Sequence, residues 1–156
     1  MIKEVIADIS AWGGAGMYGL VSILIFALYL DSGNTDYYNL FWRLVIAGAL
    51  CHIIAYISRA THFSPRPDKQ PAKNFLEKID ASAFPSIHSA RAASLAIIFM
   101  NFFSSPWAST TLLVAAITVP IMRVVLKRHY FVDVLFGFIL GLASALVALW
   151  ITGGFA

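Results

Sequence analysis

The chain has 156 residues, of which 60% are apolar and 12% charged, with a net charge of +3. A soluble domain carries about a quarter charged residues, so this composition excludes an ordinary water-soluble globule. It points to a single membrane domain over 1–156, with room for about five spanning helices of roughly 20 residues each. The single Cys51 excludes an intrachain disulfide and, within its apolar run, reads as a small buried hydrophobe.

Residues 2–10 set Ile2, Val5, Ile6 and Ile9 at helical spacing with Lys3, Glu4 and Asp8 between them. That predicts an interfacial helix over 1–11, with no cleavable signal peptide. Trp12 to Leu30 carries no charge and is the first expected span; its Gly13, Gly14, Gly16 and Gly19 suit close helix packing, or equally a loop. Asp31 to Asn39 reads as a polar turn. A second span follows over Leu40–Ala60, with Arg43 snorkelling at one end and Arg59 at the other.

Residues 61–85 form the longest polar stretch, where Pro65, Pro67 and Pro71 forbid a continuous helix. Within it PAKNFLEKID predicts a short surface helix starting at Pro71, with Phe75, Leu76 and Ile79 turned to the bilayer. No charge occurs between Arg91 and Arg123, too long a run for one span, and Ser104-Ser105-Pro106 supplies a turn inside it. Spans are expected over 86–103, 107–127 and 131–152. The fold class is thus all-α: an integral-membrane bundle of about five helices plus an interfacial N-terminus.

Alternating spans bring the chemistry to one face of the membrane. The second span ends at Arg59 with Arg66 beyond it, and the third starts at Pro85-Ser86-Ile87-His88. The fourth ends near Arg123, and the fifth begins near His129 and Asp133. Asp133 stands four residues after His129, a spacing that on a helix lets the carboxylate hold one imidazole nitrogen while the other faces a substrate. Arginines offer forked donors that match phosphate oxygens. A serine at a helix start adds a hydroxyl and backbone N–H groups. Two histidines supply a nucleophile or base and an acid. Carboxylates near the site reduce to Asp133 and scattered loop residues, so no dinuclear metal site is expected, and arginines take over the charge stabilisation.

Arg59-x6-Arg66-Pro67, Pro85-Ser86-Ile87-His88 and Arg123-x5-His129-x3-Asp133 together resemble the three-part signature of the type 2 phosphatidic acid phosphatase (PAP2) superfamily, in order, spacing and placement at span ends. The resemblance implies a PAP2/haloperoxidase-like helical core, with His129 as a nucleophile forming a phosphohistidine and Asp133 orienting it. His88 would protonate the leaving oxygen and then activate water. Arg59, Arg66, Ser86 and Arg123 would bind the phosphate, and no metal or organic cofactor is implied. Three positions depart from the usual pattern: Arg59 replaces a lysine, Ile87 the glycine before the histidine, and Met122 the serine before the arginine. Members commonly have six spans, so five here would mean one fewer at the N-terminus.

The other polar residues have plainer readings. His52 is expected to pack or hydrogen-bond within its span, and His62 to line the pocket or lie at the surface. Arg91, one turn after His88, is read as an interfacial snorkel that can also reach the phosphate, and Lys127 and Arg128 as headgroup contacts or anchors. Tyr130 and Trp107 read as belt aromatics.

The expected function is hydrolysis of a lipid phosphate or diphosphate held in the bilayer, with a polyprenyl diphosphate favoured because the chain offers little beyond the bundle to grip a larger headgroup. Phosphatidate or phosphatidylglycerophosphate hydrolysis and phosphotransfer to an alcohol are the enzyme alternatives. An anion channel or structural membrane module is the non-enzyme one, and it predicts charges at several depths instead of at one end. The partners implied are the lipid substrate and membrane lipids, not nucleic acid, with homo-oligomerisation left open. Lys and Arg lie mostly on the site face, which by the positive-inside rule would be cytoplasmic. The resemblance implies an extracytoplasmic site, and that side is adopted because several of those charges belong to the site itself.

Overall fold

The computed structural model describes residues 14–68 and 74–155; the interfacial helix expected over 1–11 lies outside them. Among the described residues the chain is all-helical: α1 (Ala15–Ser32), α2 (Thr35–Thr61), α3 (Phe75–Ala81), α4 (Ile87–Phe102), α5 (Pro106–Val125) and α6 (Phe131–Ile151). Four of these, α1, α2, α5 and α6, are long and apolar enough to cross a membrane. The fifth apolar helix, α4, has 16 residues, a rise of roughly 24 Å against a hydrocarbon core of roughly 30 Å. It tolerates that shortfall because it is the hub. It packs on α2, α5 and α6, and nearly every residue from Ile87 to Ile98 is buried by protein.

Several boundaries follow local chemistry that the apolar runs did not reveal. The predicted polar turn over Asp31–Asn39 shrinks to Gly33-Asn34, because the Asn34 side chain accepts from the Asp36 N–H at 2.8 Å and starts α2 at once. The surface helix starts at Phe75, not Pro71. Asn74 caps it by accepting from the Glu77 N–H at 2.8 Å, and Asn74 Nδ2 donates to Glu77 Oε1 at 3.1 Å. Its predicted apolar face divides, with Ile79 buried against the protein and Phe75 and Leu76 left exposed. The turn at Ser104-Ser105 stands as read, with Pro106 in the first turn of α5.

The tightest packing joins α4 to α6. A Cβ placed on Gly137 would lie 2.3 Å from the Ser86 carbonyl oxygen, and one on Gly141 would lie 2.1 Å from that of Ala90. The two glycines form a G-x-x-x-G stripe that lets the backbones touch. Gly16 and Gly19 of the first span do not play this part, since Cβ atoms there would meet open space. In the half of the bundle away from the motifs, Leu40, Leu44, Ala47, Leu95, Ile98, Ala145 and Ala148 form the core, with Tyr18 donating to the Leu44 carbonyl at 2.9 Å.

At the end away from the motifs, Arg43 does not simply snorkel. It donates through Nε to Thr152 Oγ1 at 3.0 Å and through Nη1 to Asn101 Oδ1 at 3.1 Å, tying α2 to the ends of α4 and α6.

Candidate active site

The loop between α5 and α6 owes its fixed length to one carbonyl. The Arg123 carbonyl oxygen accepts from the N–H of Arg128 at 3.0 Å and from that of His129 at 3.3 Å. Lys127, in the left-handed region at φ 56°, turns the chain to allow this. The x5 interval between Arg123 and His129 is therefore the length of one closed helix terminus. Arg128 then donates to Asp68 Oδ2 at 2.8 Å, an ion pair with the segment that carries Arg66. That pairing is a partner for Arg128 which the sequence did not indicate.

His129 and Asp133 do not share a helix face, because His129 precedes α6, which begins at Phe131. Asp133 instead occupies the first turn and accepts from the Tyr130 N–H at 2.8 Å, which fixes the helix start. The same carboxylate oxygen lies 3.8 Å from His129 Nδ1. That is electrostatic contact, longer than a hydrogen bond. Both side chains are almost wholly enclosed, at 2% and 3% exposure. Burial holds the His129 pKa below the ordinary histidine range, with Asp133 opposing and the Arg123 and Arg66 charges reinforcing the shift. The imidazole is therefore neutral at physiological pH. A carboxylate facing Nδ1 favours the tautomer with the proton there, leaving the Nε2 lone pair free.

On the facing helix, Ser86 is the N-cap of α4, as its position in the sequence suggests. Its N–H donates to the Asp133 carbonyl at 2.9 Å, so the two motif-bearing helix starts are joined by backbone. The Ser86 hydroxyl lies 3.5 Å from the Ser89 N–H and accepts from the Ser89 hydroxyl at 3.1 Å. Ile87, the departure from the usual glycine, is buried. His88 is half-buried and lies in the field of the Arg123, Arg91 and Arg66 guanidinium groups.

The remaining arginines arrive from α2 and the loop after it. Arg59 donates to the Pro85 carbonyl at 2.8 Å, bracing the turn before Ser86. Arg66, half-buried, donates to the Asp80 carbonyl at 2.6 Å; burial lowers its pKa against the opposing charges of Asp80 and Asp68. Its segment is pinned to the chain before α4: the Ala83 N–H donates to the Ser64 carbonyl at 2.7 Å and the Ser64 N–H to Ser82 Oγ at 3.2 Å. Among the described residues, buried Nε of Arg59, Nε of Arg123 and Nδ1 of His129 have no hydrogen-bond partner. No three His, Cys, Asp or Glu side chains gather as a metal would need among them.

One expectation changes. Arg91 is no interfacial snorkel: it is buried, and its Nη2 lies 2.8 Å from His52 Nε2. His52 Nδ1 lies 2.7 Å from the Gly48 carbonyl, so Nδ1 carries the proton and Nε2 accepts from Arg91. His52 thus bonds within its span as read, with a partner the sequence did not indicate. His62 is exposed at the end of α2. The close Gly137–Ser86 contact was also missed, though the G-x-x-x-G spacing in the last apolar run is its signal.

A membrane helical bundle that gathers arginines, two histidines and an aspartate at one end is built as an integral-membrane phosphatase. The family model of the PAP2 superfamily matches residues 36–155, and the chain belongs to that superfamily. The fold is similar to that of a crystal structure of Aquifex aeolicus LpxE, 18% identical, with 96% of this chain and 86% of that chain covered at a TM-score of 0.73. It is also similar to a transmembrane PAP2-type phosphatidylglycerolphosphate phosphatase from Bacillus subtilis, 22% identical, with 97% of this chain and 77% of that chain covered at a TM-score of 0.77. At these identities the likeness is one of fold. No curated protein matches the sequence.

Proposed function

We propose that this protein hydrolyses the phosphate or diphosphate monoester of a membrane lipid, with a polyprenyl diphosphate as the favoured substrate. The observation that carries the reading is the meeting of four helix ends, those of α2, α4, α5 and α6. His129 is buried with the Asp133 carboxylate facing its Nδ1, and His88 lies in the field of Arg123 and Arg66. Unpartnered Nε donors on Arg59 and Arg123 are the groups an anion would complete.

In the first step His129 Nε2 attacks phosphorus and the bond from phosphorus to the leaving oxygen breaks. His88 gives that oxygen a proton, leaving a phosphohistidine. In the second, neutral His88 takes a proton from water, the water oxygen attacks phosphorus and the P–N bond breaks. Inorganic phosphate leaves and both histidines are restored. Arg59, Arg66 and Arg123, with the N–H groups at the start of α4, bear the charge that builds on the phosphoryl oxygens, so the reading needs no metal. Asp133 holds the His129 tautomer.

The headgroup argument favours a lipid that is mostly phosphate. On the site side the described residues outside the bundle amount to α3 with its flanking loops and the short α5–α6 turn, which offer little to grip a large polar group. The phosphatase from Bacillus subtilis acts on a phosphatidylglycerolphosphate, so that lipid belongs in a release panel beside polyprenyl diphosphates and phosphatidate. His129→Ala is expected to abolish phosphate release and acid-labile phosphoenzyme, with wild-type activity unmoved by chelators. Turnover retained in that variant would sink the nucleophile assignment. The site is assigned to the extracytoplasmic side. A cysteine at the exposed Glu77 position should react with an impermeant thiol reagent in intact cells, whereas the buried native Cys51 should not.

A further inference from the structure

We propose that the groove between α1, α4 and α5 is the seat of the substrate's hydrocarbon tail and that it takes one chain, not two; this rests on the phosphatase reading above. The groove encloses ≈ 250 Å³ and is lined by apolar side chains, among them Val21, Leu95, Phe99, Leu112, Ala116 and Val119.

Helix register ties it to the site. On α4, His88, Ala92, Leu95 and Phe99 follow the i, i+4, i+7, i+11 spacing of one helix face. On α5, Leu112, Ala116, Val119 and Arg123 follow the same spacing. All but the two polar residues line the groove. The proposed general acid therefore heads one wall, and a proposed phosphate-binding arginine heads the other. A lipid whose phosphate sits between His88 and Arg123 has this groove directly beneath its first carbons. Arg91, by contrast, turns from that stripe toward His52 on α2.

Dimensions set the occupant. Ala92 to Phe103 spans roughly 16 Å along α4, about half of a roughly 30 Å hydrocarbon core, so the groove has the depth of one leaflet. A cavity of about 150 Å³ accepts a benzene ring, so on that scale the groove takes on the order of ten carbons. That is one chain. Small side chains at Ala92, Ala96, Ala115 and Ala116 make the room.

The test uses the full-length protein in detergent with single-chain alkyl phosphates from butyl to hexadecyl, and with diacyl phosphatidate. For wild type, kcat/KM should climb with chain length, level off near decyl and stay lower for the diacyl lipid. Ala116→Phe fills the groove, and the decyl-to-butyl ratio of kcat/KM should fall about tenfold, as expected for roughly two methylenes left unburied. A ratio unchanged in that variant overturns the groove assignment. A second measurement does not depend on turnover or on the variant folding. A single-chain phosphate with a mid-chain diazirine should photolabel wild-type protein at α4 and α5 residues of the groove. Label confined to the lipid-exposed faces of α2 or α6 would also overturn the assignment. Absence of phosphate release from every lipid phosphate, with groove labelling intact, would instead remove the phosphatase reading.

Discussion

Gly137 offers a sharp test of how the bundle positions the site, through Gly137→Ala. Its new Cβ would lie 2.3 Å from the Ser86 carbonyl oxygen and 3.1 Å from both the Ser86 carbonyl carbon and nitrogen. Going from 2.3 Å to the 3.4 Å of ordinary contact requires a retreat of about 1.1 Å, and the obstacle is backbone, which cannot swing aside. Overpacking of this kind costs about 1–3 kcal/mol. The same retreat pulls on the Ser86 N–H bond to the Asp133 carbonyl, 2.9 Å long, which joins the two halves of the site. A misplacement of about 1 Å can cost on the order of a hundredfold in rate. Gly16→Ala is the control, because its Cβ would meet nothing within 4 Å and alanine is the better helix former by up to about 1 kcal/mol. Thermal unfolding in detergent and phosphate release on both variants give the comparison. Gly137→Ala should melt lower and turn over far more slowly, while Gly16→Ala should match or exceed wild type in stability. Equal melting of the two variants would refute the claim that backbone contact between α4 and α6 sets the site.

Two further outcomes are expected. Because burial lowers the His129 pKa and the nucleophile must be neutral, the acid limb of kcat/KM should lie below the ordinary histidine value of about 6.5. Asp133→Asn removes the charge that opposes the shift, so the limb should move to still lower pH as kcat falls by on the order of a hundredfold; a limb moving upward would contradict the Asp133 role. His52→Leu deletes the acceptor 2.8 Å from the Arg91 guanidinium, and hydrogen bonds to charged groups contribute about 1.5–3 kcal/mol. A clearly lower unfolding temperature should follow, and a variant as stable as wild type would mean the pair contributes nothing.

The spans were legible because apolar runs of helical length need only the bilayer to explain them, and the motif residues were legible because each sits at a span end. The register of those ends was not. Arg91 shows why: an arginine one turn inside a span reads as a snorkel until a histidine on a different helix is found beside it. Ile79 shows the same for the short α3, whose buried side only packing could choose.

His129 and Asp133 mark the division most clearly. Sequence alone determined that the two residues lie four apart beside an arginine at the mouth of the last apolar run, because spacing and residue type are local properties. The tertiary structure decided that they meet across a helix start instead of along a helix face. One Asp133 oxygen serves the Tyr130 N–H and faces His129, and the Ser86 N–H holds the Asp133 carbonyl in place. A carboxylate's partners are set by what folding brings within about 3–4 Å of it, and here the decisive one, Ser86, comes from a helix that only the Gly137 contact allows so close.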